Sequence, residues 1–342
     1  MTTGGTMKVP KKMLIIVAIL GVLAIFGRMG SSESNPKSSA DDGQRAAQEQ
    51  VAEQDQQAEQ QAASESEPEP EPAPEVKSVY RVGDTLDDGG VQIVYAASGE
   101  YAEENEFLQP EEGFKYIYLK LAFINTSKSD KSISMYSFDC YADGYAAEMY
   151  YGGDEGLSAT LSAGRSTMGY IYFKIPVDAT EIEIEYTPNF FSSDKITFAY
   201  EGEVDSGYVL EANTSRTEGA LAVGESAEGA GVRVTYLSCE TWESDNMFVE
   251  PRDGYRFVSI ELEFENTGSS DQHVSAFSFD CYADGIACEQ SYYRDDNLSA
   301  TVSAGRKARG TVTFEVPNDA TVIEIEYQDN MWTSNRIAFT VQ

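Results

Sequence analysis

The eight residues Ser-Phe-Asp-Cys-Tyr-Ala-Asp-Gly stand at Ser137–Gly144 and again, letter for letter, at Ser278–Gly285. Aligned on these copies, the chain matches itself at a constant offset of 141 positions, the distance from Ser137 to Ser278, without a gap from about Tyr80–Tyr200 against Leu221–Val341. Gly83 meets Gly224, Gly113 meets Gly254, Asn125 meets Asn266, Gly164 meets Gly305 and Pro176 meets Pro317. A repeat of this length is one domain used twice. Whatever the fold is, one unit must build it from residues 79–200 and a second from 221–342, with residues 201–220 as a short Glu, Gly, Ser, Thr and Asn connector.

Inside each copy the hydrophobic period is two. Val258, Ile260, Leu262 and Phe264 alternate with Ser259, Glu261, Glu263 and Glu265, and the first copy runs Ile117, Leu119, Leu121, Phe123. The same alternation returns at Ile171, Phe173, Ile175 and at Ile182, Ile184, Tyr186, with Val312, Phe314, Val316 and Ile323, Ile325, Tyr327 as counterparts. Such runs are strands with one buried and one solvated face. Asn-Thr, Ala-Asp-Gly, Ala-Gly-Arg and Pro-x-Asp-Ala-Thr turn signals separate them. No helical stripe longer than a turn or two follows Val79, so the expectation is all-β: two tandem immunoglobulin-like antiparallel β-sandwiches, with a closed barrel as the alternative.

Ahead of the repeat lie two segments of other composition. Lys8, Lys11 and Lys12 precede the uninterrupted apolar run Met13–Gly27, which reads as an export signal with its amino terminus held in the cytoplasm. Residues 1–30 are expected to form a signal anchor with a transmembrane helix, secretion after cleavage being the alternative. No cysteine follows the run, which excludes attachment through a lipidated cysteine. Residues 31–78 hold Ser, Gln, Glu, Ala and Pro and hardly a large apolar side chain, so they are expected to be a disordered acidic spacer. Its Glu67–Pro74 tract alternates proline with like charge and favours extended polyproline II geometry. A flexible spacer of that length spans about 40 Å r.m.s..

The formal net charge of −34 falls almost wholly beyond the apolar run and repels nucleic acid and anionic lipid. The one histidine, His273, has Ser132 as its counterpart, so no Ser-His or Cys-His pair serves both copies. The expectation is a non-enzymatic protein.

The residues carry a resemblance. Gly254–Gly268, then Ser303–Arg306 and Gly310–Pro317, look like the telokin-like immunoglobulin-sandwich domain of unknown function found in bacterial surface proteins and lipoproteins, which is related to an immunoprotective extracellular antigen. The first copy matches through Gly113–Thr126 and Ala163–Pro176. The resemblance implies an exported, cell-surface, non-catalytic module and brings no catalytic or binding residues with it.

Candidate sites follow from comparing the copies. Cys140 and Cys281 share a strand face with Phe138 and Phe279 and read as buried small hydrophobes, whereas Cys239 and Cys288 replace Ser98 and Ala147 together. Two cysteines gained together in an exported domain point to a Cys239–Cys288 disulfide. Asp139, Asp143, Asp280 and Asp284 bracket the Asp-Gly turns and are weighed as calcium ligands against the simpler reading that Asp-Gly makes hairpins. Phe190 and Phe191, with Met331 and Trp332 as counterparts, form an aromatic tip that anchors a partner or plugs its own sandwich. Tyr116, Tyr118 and Lys120 lie on a polar strand face where the second copy has Phe257, Ser259 and Glu261. Together these give a single-pass, membrane-anchored, extracytoplasmic module. Its expected partners are the membrane, through the amino-terminal helix, and a cell-wall or surface protein or glycan; the alternative is a passive stalk or accessory subunit.

Overall fold

The computed structural model describes residues 79–153, 155–188, 195–229, 231–328 and 336–341. The expected transmembrane helix and disordered spacer therefore lie outside the described residues. Among the described residues no helix is long and apolar enough to cross a membrane.

The first copy forms β1 (Thr85–Asp88), β2 (Val91–Tyr101), β3 (Phe114–Asn125), β4 (Lys131–Ser134), β5 (Phe138–Ala142), β6 (Tyr145–Tyr150), β7 (Ser158–Leu161), β8 (Ser166–Pro176), β9 (Ile182–Tyr186) and β10 (Ile196–Ala199). The connector contributes β11 (Val204–Asp205). The second copy forms β12 (Ser226–Gly229), β13 (Val232–Trp242), β14 (Tyr255–Asn266), β15 (Gln272–Ser275), β16 (Phe279–Ala283), β17 (Ile286–Ala287), β18 (Glu289–Ser291), β19 (Ser299–Val302), β20 (Lys307–Pro317), β21 (Ile323–Gln328) and β22 (Arg336–Val341).

Each copy is a β-sandwich. In the first, β1-β2-β3-β8 make one layer and β6-β5-β9-β10 the other. β6 belongs to both, since Tyr145–Ala147 pair with β5 and Glu148–Tyr150 with β8. In the second, the same strand is broken at Cys288, leaving β17 on β16 and β18 on β20. The alternating apolar residues face inward between the layers: Leu119, Leu121, Phe123 and Ile175 have no exposed surface, and neither have Ile260, Leu262, Phe264 and Val316. Burying each such side chain stabilises the fold by about 1.5–3 kcal/mol.

Two polar devices recur at identical positions. Asn125 and Asn266, both buried, peg the loop that follows them: Asn125 Nδ2 donates to the carbonyls of Ser129 and Leu161 at 2.8 Å, and Asn266 Nδ2 to those of Ser270 and Val302 at 2.7 Å. Asp143-Gly144 and Asp284-Gly285 have positive φ at both residues, 49° and 79° in one copy and 48° and 81° in the other, which makes two-residue hairpin turns of type I′. The strained aspartates are held by their own carboxylates. Asp143 Oδ1 accepts from Thr180 N at 3.1 Å, Thr180 Oγ1 at 2.9 Å and Glu181 N at 2.9 Å, and Asp284 accepts in the same way from Thr321 and Val322.

The two sandwiches form one compact unit. Its seam is built from the outward face of β16 and β21 and from the loop that opens β8. Tyr282 points away from its own core yet is 1% exposed, because its ring enters the hydrophobic cluster of the first sandwich. Its hydroxyl donates to the Thr160 carbonyl at 2.7 Å and accepts from Ser162 N at 3.2 Å. Above the ring, at 4.7 Å, sits the guanidinium of Arg165. Arg165 Nη2 reaches Glu324 at 2.7 Å and Glu326 at 2.8 Å, all three side chains being nearly fully buried. Arg336 approaches Asp130 at 2.9 Å, and Ser166 N donates to the Gly285 carbonyl at 3.1 Å, so that β8 and β17 pair in parallel at one position and join strands of both sandwiches into one 13-stranded sheet. The connector closes the seam: Thr217 N donates to Glu324 at 2.8 Å and Asn213 N to the Asp284 carbonyl at 2.7 Å.

Candidate functional site

On the outward face of β3 and β8 the first sandwich carries a connected set of tyrosines. Alternation along β3 places Tyr116 and Tyr118 there, and antiparallel register brings Tyr172 opposite Tyr118. Tyr116 stacks on Tyr150 with centroids 3.9 Å apart, Tyr170 stacks on Tyr172 at 5.9 Å, and Tyr101 meets Tyr172 edge-on at 4.8 Å. The Lys120 ammonium lies 5.1 Å from the Tyr170 ring centre. Contacts of these kinds are worth about 0.5–1.5 kcal/mol per aromatic pair beyond burial, so the face is a firm platform.

Beside the platform is a shallow, open depression lined by Met135, Met149, Tyr150, Tyr151, Tyr170 and Tyr172 with Gly153 and Gly156 at its edge. Gly153 packs so closely on one wall that a Cβ there would lie 2.3 Å from the Tyr172 ring. At one end of the platform Glu103 is 4% exposed and takes hydrogen bonds from Tyr150 Oη, from Tyr101 Oη at 3.4 Å and from Asn105 N at 2.8 Å. Burial first, and the Glu103 carboxylate second, push the Tyr150 phenol well above its ordinary pKa; burial raises Tyr116 also. These hydroxyls stay protonated and donate within the domain, Tyr150 to Glu103 and Tyr116 to the Leu108 carbonyl. Over the buried rings of Tyr116 and Tyr172, the half-buried Tyr118 and Tyr170 and the exposed Tyr151 offer aromatic surface, the means of holding a flat or ring-shaped apolar group.

The second sandwich keeps only part of this, with Trp242 and Phe257 in ring contact at 5.5 Å where the first has Tyr101 and Tyr116. Ser259, Thr311 and Thr313 stand where the first has Tyr118, Tyr170 and Tyr172, and Arg294 stands where it has Gly153. Arg294 covers the Trp242 ring at 5.5 Å and is bound by Glu240 at 2.7 Å and Asp296 at 2.8 Å, so an ionic network fills the place of the depression.

The family profile described as a domain of unknown function, DUF4352, matches residues 80–196 and again 221–337. The chain belongs to this family. The chain resembles solved structures at low identity, each match covering about a third of it. The yjhA protein of Bacillus subtilis is 14% identical, with 35% of this chain and 98% of that one covered and a TM-score of 0.29. The secreted protein MPT63 of Mycobacterium tuberculosis is 12% identical over 36% of this chain and 99% of that one, with a TM-score of 0.28. The ycdA protein of Bacillus subtilis subsp. subtilis str. 168 is 16% identical over 34% of this chain, the match spanning 38% of its own length, with a TM-score of 0.29. No curated protein matches the chain significantly.

The residues singled out in the sequence fall as follows. Phe190, Phe191, Met331 and Trp332 lie outside the described residues. The four aspartates do not converge: Asp143 and Asp284 cap the hairpin turns of the DUF4352 domains and are held below the ordinary carboxylate pKa, Asp284 against the opposing effect of its burial, by hydrogen bonds from the neighbouring loop. Asp280 pairs instead with Arg336 at 3.2 Å, and burial, its largest influence, lifts its pKa to about 6. Among the described residues no group of three or more His, Cys, Asp or Glu is arranged to hold a metal ion.

The expected Cys239–Cys288 disulfide is corrected, for all four cysteines are free thiols. Cys288 N donates to the Cys281 carbonyl and the thiol lies against that of buried Cys281, while Cys239 lies beside Tyr236. Glu103 and Gly153 were invisible without the fold, whereas Phe107, 86% exposed at the tip of the loop that carries Glu103, had a signal in its counterpart Phe248, 55% exposed at the same place in the second domain.

Proposed function

We propose that this protein is an extracytoplasmic binding module without catalytic activity, held at the cell membrane by its amino-terminal apolar segment, and that it takes a cell-wall or surface ligand on the tyrosine platform of its first DUF4352 domain. The observation that carries the reading is the asymmetry between the copies: one fold presents an open, tyrosine-lined depression in one domain and a closed ionic network at the same place in the other. A face needed only for folding would not demand both solutions. Aromatic rings give large contact area at low entropic cost, which suits the faces of sugar rings in a glycan. Export is supported by the lysines ahead of Met13–Gly27, and the acidic spacer would set the platform off from the membrane.

Retention of the full chain on purified cell-wall glycan tests this. Tyr151→Ala and Tyr170→Ala should each lower retention at least tenfold with little change in melting temperature, and Tyr292→Ala, the counterpart of the former in the second domain, should leave it unchanged. Absence of retention, or retention indifferent to the platform variants, would favour a passive stalk.

A further inference from the structure

The seam between the sandwiches is a head-to-tail contact made by one domain type with itself, and each of its two surfaces exists twice in the chain. Only one of each is used. The face spent by the second sandwich is Tyr282, Glu324, Glu326 and Arg336; the first sandwich has the same face as Tyr141, Glu183, Glu185 and Lys195. The socket spent by the first sandwich is Thr160, Ser162, Arg165 and Asp130; the second has it as Thr301, Ser303, Arg306 and Asp271. Every charge is kept in sign and the tyrosine, threonine, serine and arginine are kept in identity.

Both spare surfaces are open. Glu324 has no exposed surface and Glu326 is 4% exposed within the seam, yet Glu183 is exposed and Glu185 half-buried; Arg165 is 5% exposed and Arg306 is exposed. Tyr145, at the position of Ile286 in the parallel pair, is 80% exposed. Their backbones are also competent, since Gly144 and Gly285 share the left-handed turn that presents, at Gly285, the carbonyl to which Ser166 N donates.

We propose that a second copy of this chain docks its spare Arg306 socket onto the Tyr141–Glu183–Glu185 face of the first, repeating the internal seam between molecules. A heterologous contact of this kind leaves one free surface at each end of every assembly, so copies add head to tail until a ring closes or a filament grows. The occupant follows from the molecule itself, because the partner surface already sits on this face once in every chain and the charges are complementary: an arginine meets two glutamates, and Lys195 meets Asp271.

The test is sedimentation velocity on the full chain in detergent over a hundredfold range of protein concentration. Wild type should shift from monomer to multiples as concentration rises. Arg306→Glu alone and Glu183→Arg/Glu185→Arg alone, all at exposed or half-exposed positions, should each weaken association at least tenfold while the internal seam stays intact. An equal mixture of the two should regain it, since each variant then meets a partner of opposite charge. A wild-type chain that stays monomeric throughout the range would overturn the proposal, as would association that the reversals leave unchanged or a mixture that fails to recover. None of these outcomes depends on whether the tyrosine platform binds glycan.

Discussion

Tyr282 and Tyr141 are the same residue of the same octet on the same outward strand face, and their truncation should cost very different amounts. In Tyr282→Ala a ring 1% exposed is removed from a packed site, for which about 3–5 kcal/mol is usual. The Ser162 N–H also loses its acceptor, a loss of about 1–3 kcal/mol where water does not replace it. The two effects overlap, because a cavity large enough for a ring admits water, and ~4 kcal/mol is a fair sum. At roughly 2–4 °C per kcal/mol for a cooperative unit of this size, melting should fall by about 10 °C. Tyr141→Ala removes a half-exposed ring with no partner domain over it and should stay within about 0.5 kcal/mol. Differential scanning calorimetry on the full chain, with both variants at equal concentration, reads the contrast. Equal shifts for the two would refute the placement of Tyr282 in the seam, and Tyr282→Phe should fall between them.

Other outcomes follow from the same geometry. Arg165→Met should destabilise by about 3–5 kcal/mol in urea titration by leaving Glu324 and Glu326 buried without their cation, and adding Glu324→Leu and Glu326→Leu should recover most of the loss. Gly310→Ala should cost about 1–3 kcal/mol, because the new Cβ would lie 2.7 Å from the Leu298 Cα, a backbone atom with little room to yield; a neutral result in thermal melts would contradict that crossing. Asp280 has its folded pKa raised to about 6, so the folded state holds its proton more tightly than the unfolded chain and this group's contribution to stability declines as pH rises from about 4 to about 6. Asp280→Asn should flatten the slope of stability in that window, and an unchanged slope would assign the titration elsewhere. Native thiol titration should modify half-buried Cys239 and Cys288 first and reach buried Cys140 and Cys281 only on unfolding; a non-reducing peptide map showing any disulfide would count against the free-thiol arrangement.

The strands and hairpins were legible because their signals are local. Alternation at Val258–Phe264 names an inward face whatever the rest of the chain does, and Asp-Gly between two strands demands a left-handed pair of residues. The seam was not legible for the opposite reason. Within its own sandwich Tyr282 is an outward residue, as period-two reading says, and Glu324 and Glu326 likewise; their burial comes from Thr160–Ser166, far off in sequence. The disulfide failed on similar grounds. Joint replacement of Ser98 and Ala147 suggested contact, but cross-strand register places Cys288 against Cys281, as Ala147 stands against Cys140, and Cys239 belongs to the other layer. The platform was half visible: Tyr116 and Tyr118 stood out against Phe257 and Ser259, yet only the fold brings Tyr150, Tyr172 and Gly153 beside them.

The connector that carries Asn213 and Thr217 into the seam has a kinetic consequence. A tether this short keeps the two surfaces it joins at an effective concentration on the order of millimolar, so the internal contact forms as a first-order event that dilution leaves untouched. Between separate copies the same surfaces would meet at whatever concentration the chain itself reaches, as a second-order event. One contact geometry thereby serves two regimes, permanent inside a chain and dependent on crowding between chains, and the difference lies in about twenty residues of backbone rather than in the chemistry of the interface.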